Sequence, residues 1–333
     1  MTDDHQPRVV LVTGASSGIG RAAALQASGR GDHVVLVARG VGALDATAAE
    51  CLTTGAASAL VVPADVGDDE AVRAFVDRTE REHGRIDLVV HAAGVVAYGR
   101  TEEVPADVFD GVLTTNLLGS VNVARHVVPV LRDQGRGGLV LVGSLIGHIA
   151  VPLMSPYVLS KWGVHALARQ LRVENRDRPG VHFAYVAPGG VDTPIYEQAA
   201  SYLGITGRPP PPVDRPERVA RIAIRRGEHG QLRGQVGLAN DVVRFGFNAL
   251  PRVYDALVTP LFSAAALDQT EAVPAGPGNV LAPHEAGNAL HGDQGGALRG
   301  ILRNLRELRG RSERRGTRSG RAYGPSLVDT PRR

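Results

Sequence analysis

Tyr157 and Lys161 stand four residues apart in the stretch Tyr157-Val158-Leu159-Ser160-Lys161, which opens a helical run continuing through Gln170 and Leu171. Residues at that spacing share one helix face, so a phenol and an ammonium are presented to the same pocket. A neighbouring cation favours the phenolate and lowers the tyrosine below its usual pKa of about 10. That suits Tyr157 to acid/base work. Such pairs are common on helix surfaces, but Lys161 is the only lysine in the chain; the other 36 of the 37 basic residues are arginine. A compact ammonium with an adjustable pKa is not interchangeable with a planar guanidinium.

A second set of residues points to a nucleotide. The apolar run Val9–Val12 leads into Thr13-Gly14-Ala15-Ser16-Ser17-Gly18-Ile19-Gly20, and a helical pattern follows from Arg21 to Arg30. Strand, glycine-rich turn and helix together aim backbone N–H groups and a helix N-terminus at a pyrophosphate. The next strand, His33–Ala38, ends in Arg39 rather than an acid. A carboxylate there would accept the ribose 2′-OH, whereas a cation accommodates a 2′-phosphate. Arg39 therefore favours NADP, with NAD second.

Strand patterns recur at Ala59–Pro63, Ile86–His91, Gly138–Gly143 and Val181–Ala187, with helical runs between them. That alternation predicts a Rossmann-type, doubly wound parallel α/β sheet covered on both faces. Ligands sit beyond the C-terminal strand ends in such a sheet. Asp65-Val66, Ala93-Gly94, Gly143-Ser144 and Pro188-Gly189-Gly190 fall there and are expected to converge on one crevice.

With these residues in place, the chain resembles the short-chain dehydrogenase/reductase family over about residues 8–225. The likeness rests on the Thr13–Gly20 loop, Asp65-Val66, Ala93-Gly94, Asn116-Leu117-Leu118-Gly119, Ser144, Tyr157 with Lys161, and Pro188-Gly189-Gly190-Val191-Asp192-Thr193. The resemblance implies that Tyr157 exchanges a proton with a carbonyl or alcohol oxygen while hydride moves to or from a nicotinamide. Ser144 would hydrogen-bond that oxygen. Lys161 would hold the nicotinamide ribose and lower the Tyr157 pKa, with Asn116 supporting a water relay behind it. Thr13, Gly14, Ser16, Ser17, Gly18, Ile19 and Gly20 would cradle the phosphates; Asp65 and Val66 would border the adenine; Ala93 and Gly94 would border the adenosine side. Pro188, Gly189, Val191 and Thr193 would meet the nicotinamide end. Where the family usually has asparagine before Ala-Gly, this chain has His91-Ala92, and Ser16-Ser17 replace the loop cation of many NADP-preferring relatives.

Leu145, Ile146, Ile149, Val151, Pro152, Leu153 and Met154, with Ile195, Tyr196, Tyr202 and Leu203, are placed over the substrate by the same resemblance. Those two segments hold no Arg or Lys. A lipophilic ketone or secondary alcohol is the expected substrate, with His148 as a further polar contact or a solvent-facing loop residue. Rival readings are a non-catalytic NADP-binding sensor or scaffold, and a protein acting at a membrane surface through its basic tail. An intact Ser144, Tyr157 and Lys161 disfavours the first.

Composition bounds the rest. The single cysteine, Cys51, excludes an internal disulfide and favours a reducing, cytoplasmic setting. Met1–Arg8 is short and polar, so no secretory leader is expected. Residues 299–333 hold 11 Arg against Glu307, Glu313 and Asp329, leaving 26 basic and 31 acidic residues elsewhere. The basic pI thus belongs to the tail, and nucleic acid is not an expected partner of the main domain. No metal site is expected. The domain reading is an N-terminal tail at 1–7, a catalytic domain at 8–235, a C-terminal extension at 236–296 and a basic amphipathic tail at 297–333. Phe245–Phe262 reads as an apolar helix broken at Pro251 and Pro260, and Glu271–Gly296 as irregular. Family resemblance implies a homo-oligomer.

Overall fold

The computed structural model describes residues 6–230 and 234–293. The tail expected over 297–333 lies outside the described residues. Six parallel strands form the centre: β1 (Val9–Thr13), β2 (His33–Ala38), β3 (Ser58–Pro63), β4 (Leu88–His91), β6 (Gly137–Val142) and β7 (Val181–Val186). A two-residue strand, β5 (Ala97–Tyr98), pairs outside this sheet. The sheet order is β3-β2-β1-β4-β6-β7, so the chain starts in the middle, winds one way and then crosses to wind the other. The expected doubly wound α/β fold is what forms, with strand ends within two residues of the sequence reading.

Strand alternation explains the two cores. Along β1, Leu11 packs with Val35, Phe75, Val89, Leu139 and Phe183 on one face. Its neighbours Val10 and Val12 pack with Leu36, Leu44, Val90, Val140 and Ile224 on the other. A strand sends successive side chains to opposite faces, and a central parallel strand buries both. That is why β1 is apolar without alternation.

The covering helices are α1 (Gly18–Ser28), α2 (Val41–Thr54), α3 (Asp69–His83), α4 (Ala106–Leu113), α5 (Gly119–Gln134), α6 (Ser155–Glu174) and α7 (Pro216–His229). Glycine and alanine let them approach closely. A Cβ on Gly138 in β6 would lie 2.4 Å from the Gly227 carbonyl oxygen of α7.

After α7 the chain forms a hairpin of α8 (Leu238–Ala249) and α9 (Pro251–Ala265). The break at Pro251 matches expectation, because proline seats well in a first turn. Pro260 does not break α9, contrary to the sequence reading; the helix runs on past it to Ala265, closing over the substrate side with Phe262 and Ala266. Strand Leu267–Ala272 follows, and 273–293 are irregular apart from one short turn, Glu285–Gly287. Among the described residues no helix is long and apolar enough to cross a membrane.

Candidate active site

The turn after β1 folds as its glycines require. Gly14 and Gly18 adopt positive φ angles of 67° and 48°, which side chains on an L-residue resist. A Cβ on Gly20 would lie 2.1 Å from the Gly14 carbonyl oxygen, so α1 packs directly on the turn. The N-terminus of α1 therefore opens onto a crevice of about 150 Å³ bordered by Gly14, Ser16, Ser17, Gly18, Ile19 and Gly20. Its far walls include Arg39, Asp65, Val66, Ala93, Gly94 and Thr193. The residues fit a dinucleotide: exposed loop backbone, a helix N-terminus and a cleft at the sheet's reversal point between β1 and β4.

Thr13, Pro188, Gly189 and Val191 do not border this crevice. Thr13 is buried below it, its hydroxyl 2.8 Å from His91 Nδ1 and accepting from the Ala93 N–H at 3.3 Å. The Pro188 carbonyl accepts from the Leu145 N–H at 2.7 Å. Val191 is buried in the core beside α7, and Gly189 borders the neighbouring substrate cavity.

That second cavity, about 90 Å³, is lined by Ser144, Tyr157, Val96, Tyr98, Ile146 and Met154, with Ile195, Tyr196 and Phe262. Tyr157, 8% exposed, lines it beside Ser144, whose hydroxyl accepts from the Ile146 N–H at 3.2 Å. Burial pushes the Tyr157 hydroxyl up to about 12, outweighing the opposite pull of the Ser144 side chain. This reverses the expected lowering by Lys161. The lysine is itself 6% exposed, burial pushes it down to about 8, and its ammonium donates to the Val142 carbonyl at 3.1 Å. It lies 5.6 Å from the centre of the Tyr157 ring. Desolvation thus acts against both charged forms.

Asn116 sits in a single turn of π-helix, Thr114–Leu118, between α4 and α5. Wider turns of this kind recur at functional positions. Its side-chain oxygen accepts from Val95 N–H at 2.8 Å, and its amide donates to the Val95 carbonyl and Ser160 hydroxyl at 2.9 and 3.0 Å. The residue clamps the loop after β4 to α6. A Cβ on Gly94 would come 3.3 Å from Asn116 Oδ1 and 3.7 Å from Lys161 Nζ. Asn116 and Lys161 thus stand behind Gly94 in the crevice wall without bordering either cavity, Tyr157 borders only the second, and Ile195 lines both.

His91 replaces the usual asparagine without leaving a gap. Its ring bridges the Thr13 and Ser120 hydroxyls at 2.8 and 3.0 Å. Burial, with Lys161 adding to it, holds it down to about 3. The folded chain therefore keeps His91 neutral while the unfolded chain binds a proton below about 6.5, and stability falls as pH drops from there toward 3. His91→Asn should flatten that part of the stability–pH curve, measured by urea unfolding between pH 4 and 7. An unchanged slope would assign the acid sensitivity to other groups.

Three placements were not legible in the sequence. Arg208, 2% exposed, borders the substrate cavity, so the expectation of a lining without a cation is wrong; the residue comes from beyond the two segments thought to enclose it. His148 is in neither cavity: it packs against His165 and Tyr185, with ring centroids 3.9 and 5.6 Å away. Tyr202 turns away to Val95, Val104 and Val108.

Most unexpected is the irregular segment after Ala272. Arg39 donates to the carbonyls of Asn279 and Val280 at 2.5 and 3.0 Å. The Gly18 N–H donates to Ala289 carbonyl at 2.9 Å, and His291 bridges Asp192 and Glu217 at 3.0 and 2.8 Å. Asn279, Pro283, His284 and Asn288 complete the crevice wall. A chain ending after Gly296 should keep its cofactor affinity. One ending after Ala272 should melt earlier and bind cofactor at least about tenfold more weakly, a loss of roughly 1.4 kcal/mol. Calorimetry on the two chains checks this; equal affinities would show that the segment is not a working wall.

The family model for short chain dehydrogenases matches residues 8–202. The chain is 34% identical over 194 residues to the human dehydrogenase/reductase SDR family member 7, covering 57% of each protein. The chain thus spans little more than half of that relative's length. It is 30% identical over 290 residues to the uncharacterized oxidoreductase YxnA of Bacillus subtilis, covering 85% of this chain and 80% of the other. A solved alcohol dehydrogenase from Thermococcus sibiricus, complexed with 5-hydroxy-NADP, superposes with a TM-score of 0.60 at 27% identity, covering 69% of this chain and 95% of that one. The family match over residues 8–202 and the parallel sheet agree with these relatives: the chain belongs to the short-chain dehydrogenase family.

Proposed function

We propose that the protein is an NADP-dependent oxidoreductase that interconverts a carbonyl and a secondary alcohol on a small, largely apolar molecule. The observation that carries this reading is the meeting of two cavities. Ser144 and Tyr157 line a largely apolar one, Ile195 lines both it and the nucleotide crevice, and Lys161 and Asn116 lie behind Gly94 of the crevice wall. A bound nicotinamide supplies or accepts the hydride. The chain manages the accompanying proton. Tyr157, protonated across the neutral range because of its burial, donates its hydroxyl proton to the carbonyl oxygen in the reducing direction and takes it back in the other. Ser144, lining the same cavity beside the tyrosine, holds that oxygen by a hydrogen bond. Lys161, titrating near 8, is positioned to hold ribose hydroxyls and return the proton, with Asn116 supporting a water relay behind it. A cytoplasmic setting and a homo-oligomeric state belong to the same proposal, as does the division into domains at 8–235 and 236–296.

Preference for NADP is supported by Arg39 in the crevice wall. Its guanidinium donates to two neutral carbonyls, and a phosphate would offer it a charged acceptor, which makes the stronger bond. Arg39→Ala should cost NADPH about 1.5–3 kcal/mol and NADH little. Calorimetry with both cofactors decides; equal losses would show that Arg39 does not read the phosphate.

Arg208 favours a second reading of the substrate: an apolar body carrying one anionic group. NADPH oxidation with a panel of hydrophobic ketones, aldehydes and steroids, each with and without a carboxylate, separates the two. Silence across the whole panel, from a protein that binds NADPH, would favour the sensor or scaffold reading instead.

A further inference from the structure

A third cavity is bordered by Tyr185 of β7. It holds about 100 Å³, several times the room one water needs. Its walls come from four parts of the fold: His165, Arg169 and Arg172 on α6, His148 after the Ser144 turn, Gln235 after α7 and Arg244 on α8. None of them borders the nucleotide crevice or the substrate cavity.

The lining is built for a ligand. Gln235 is 3% exposed, and neither its amide nitrogen nor its oxygen has a hydrogen-bond partner. His148 Nε2 is also buried without one. Buried polar groups left without a partner are costly, and a ligand that pairs with them relieves that cost. Charge is mainly positive, with Arg244 ion-paired to Asp241 and Arg172 Nε donating to the Phe183 carbonyl at 2.7 Å. Arg169, Arg172 and Arg244 all act on His165, and Asp241, 3.6 Å from Arg244, is the acidic group that acts on His148. Both histidines are held in their neutral forms, chiefly by burial and then by this positive surround.

We infer that this cavity is a binding site for a small oxyanion, a phosphate or carboxylate group, held by Arg169, Arg172 and Arg244 and by the Gln235 amide. Guanidinium forks match the oxygens of either group, and an anion offsets the repulsion among three cations. The site abuts the chemistry. The Tyr185 hydroxyl, whose ring packs on both histidines, donates to the Ser144 carbonyl at 3.2 Å and accepts from the Ser144 N–H at 3.3 Å. The inference stands on its own residues and does not depend on the oxidoreductase reading.

The experiment is calorimetric titration of the full chain with inorganic phosphate and, separately, acetate at constant ionic strength, alongside NMR titration of the histidine rings. Saturable binding is expected with one or both ions, together with a shift of the His148 and His165 titrations to higher pH. Saturation by phosphate alone or acetate alone sets the class of group. Arg169→Ala with Arg244→Ala, both at the exposed mouth, should weaken binding at least roughly tenfold. Gln235→Leu should weaken it without lowering the melting temperature, since it also removes an unpartnered amide. The inference is overturned by heat that tracks ionic strength only, or by equal affinity in the variants. Binding that leaves both histidine titrations in place would assign the ion to the glycine-rich loop and overturn it too.

Discussion

Tyr157→Phe should lower turnover by about 10²–10⁴-fold while leaving NADPH affinity unchanged. The substitution keeps the ring that packs with Val96, Tyr98 and Met154 and deletes only the hydroxyl. Loss of a positioned general acid costs that factor, or roughly 3–5 kcal/mol of transition-state stabilisation at about 1.4 kcal/mol per decade. The fold should tolerate the change, because the hydroxyl lost is one that burial already holds protonated near neutral pH. Single-turnover rates on the best substrate, with cofactor affinity measured in parallel, test this. A variant that binds NADPH and turns over within a factor of about three of the parent removes Tyr157 from the proton path.

Lys161→Met should separate activity from stability. Methionine matches the lysine stem but carries no charge, so the hydrogen bonds proposed to ribose and to the proton path disappear. A charged hydrogen bond is worth about 1.5–3 kcal/mol, or roughly 10–10²-fold in kcat/KM. Stability should move the other way. The folded chain lowers the lysine pKa to about 8 from the ordinary 10.5. Below pH 8 the native state carries a charge that its surroundings disfavour, and that penalty fades as pH climbs from 8 to 10.5. Lys161→Met removes the penalty, so the melting temperature should rise at pH 7 and the gain should vanish near pH 11. Because Lys161 is the only lysine, nitrogen-labelled lysine gives one side-chain amine signal, whose titration midpoint should fall near 8. A midpoint near 10.5, or a variant less stable at pH 7, would show that the ammonium is well solvated or well paired.

Much of the site was readable because its signals are local. Thr13 to Gly20 carries its own conformation: positive φ at Gly14 and Gly18, and close packing of Gly20 on Gly14, are requirements of a window of eight residues. The four-residue step from Tyr157 to Lys161 becomes a shared helix face whatever surrounds it. Apolar runs such as Val34–Val37 and Leu139–Val142 specify buried parallel strands by themselves. Their alternation with helices leaves few topologies open.

What the sequence by itself determined, then, is the strand and helix order, the glycine-rich turn and the shared helix face of Tyr157 and Lys161. Tertiary structure decided the rest. The Tyr157 and Lys161 pKa directions follow from how deeply α6 is covered, which helical spacing does not encode. Arg208 enters the substrate cavity although it is distant in sequence from both segments expected to form it. Asn279, Val280 and Ala289 reach Arg39 and Gly18 across some 240 to 270 positions, through backbone carbonyls that every residue possesses. Periodicity and turn chemistry act between near neighbours and leave a pattern in the chain. Burial, and hydrogen bonds to a distant backbone, depend on where the completed fold brings the chain and leave none.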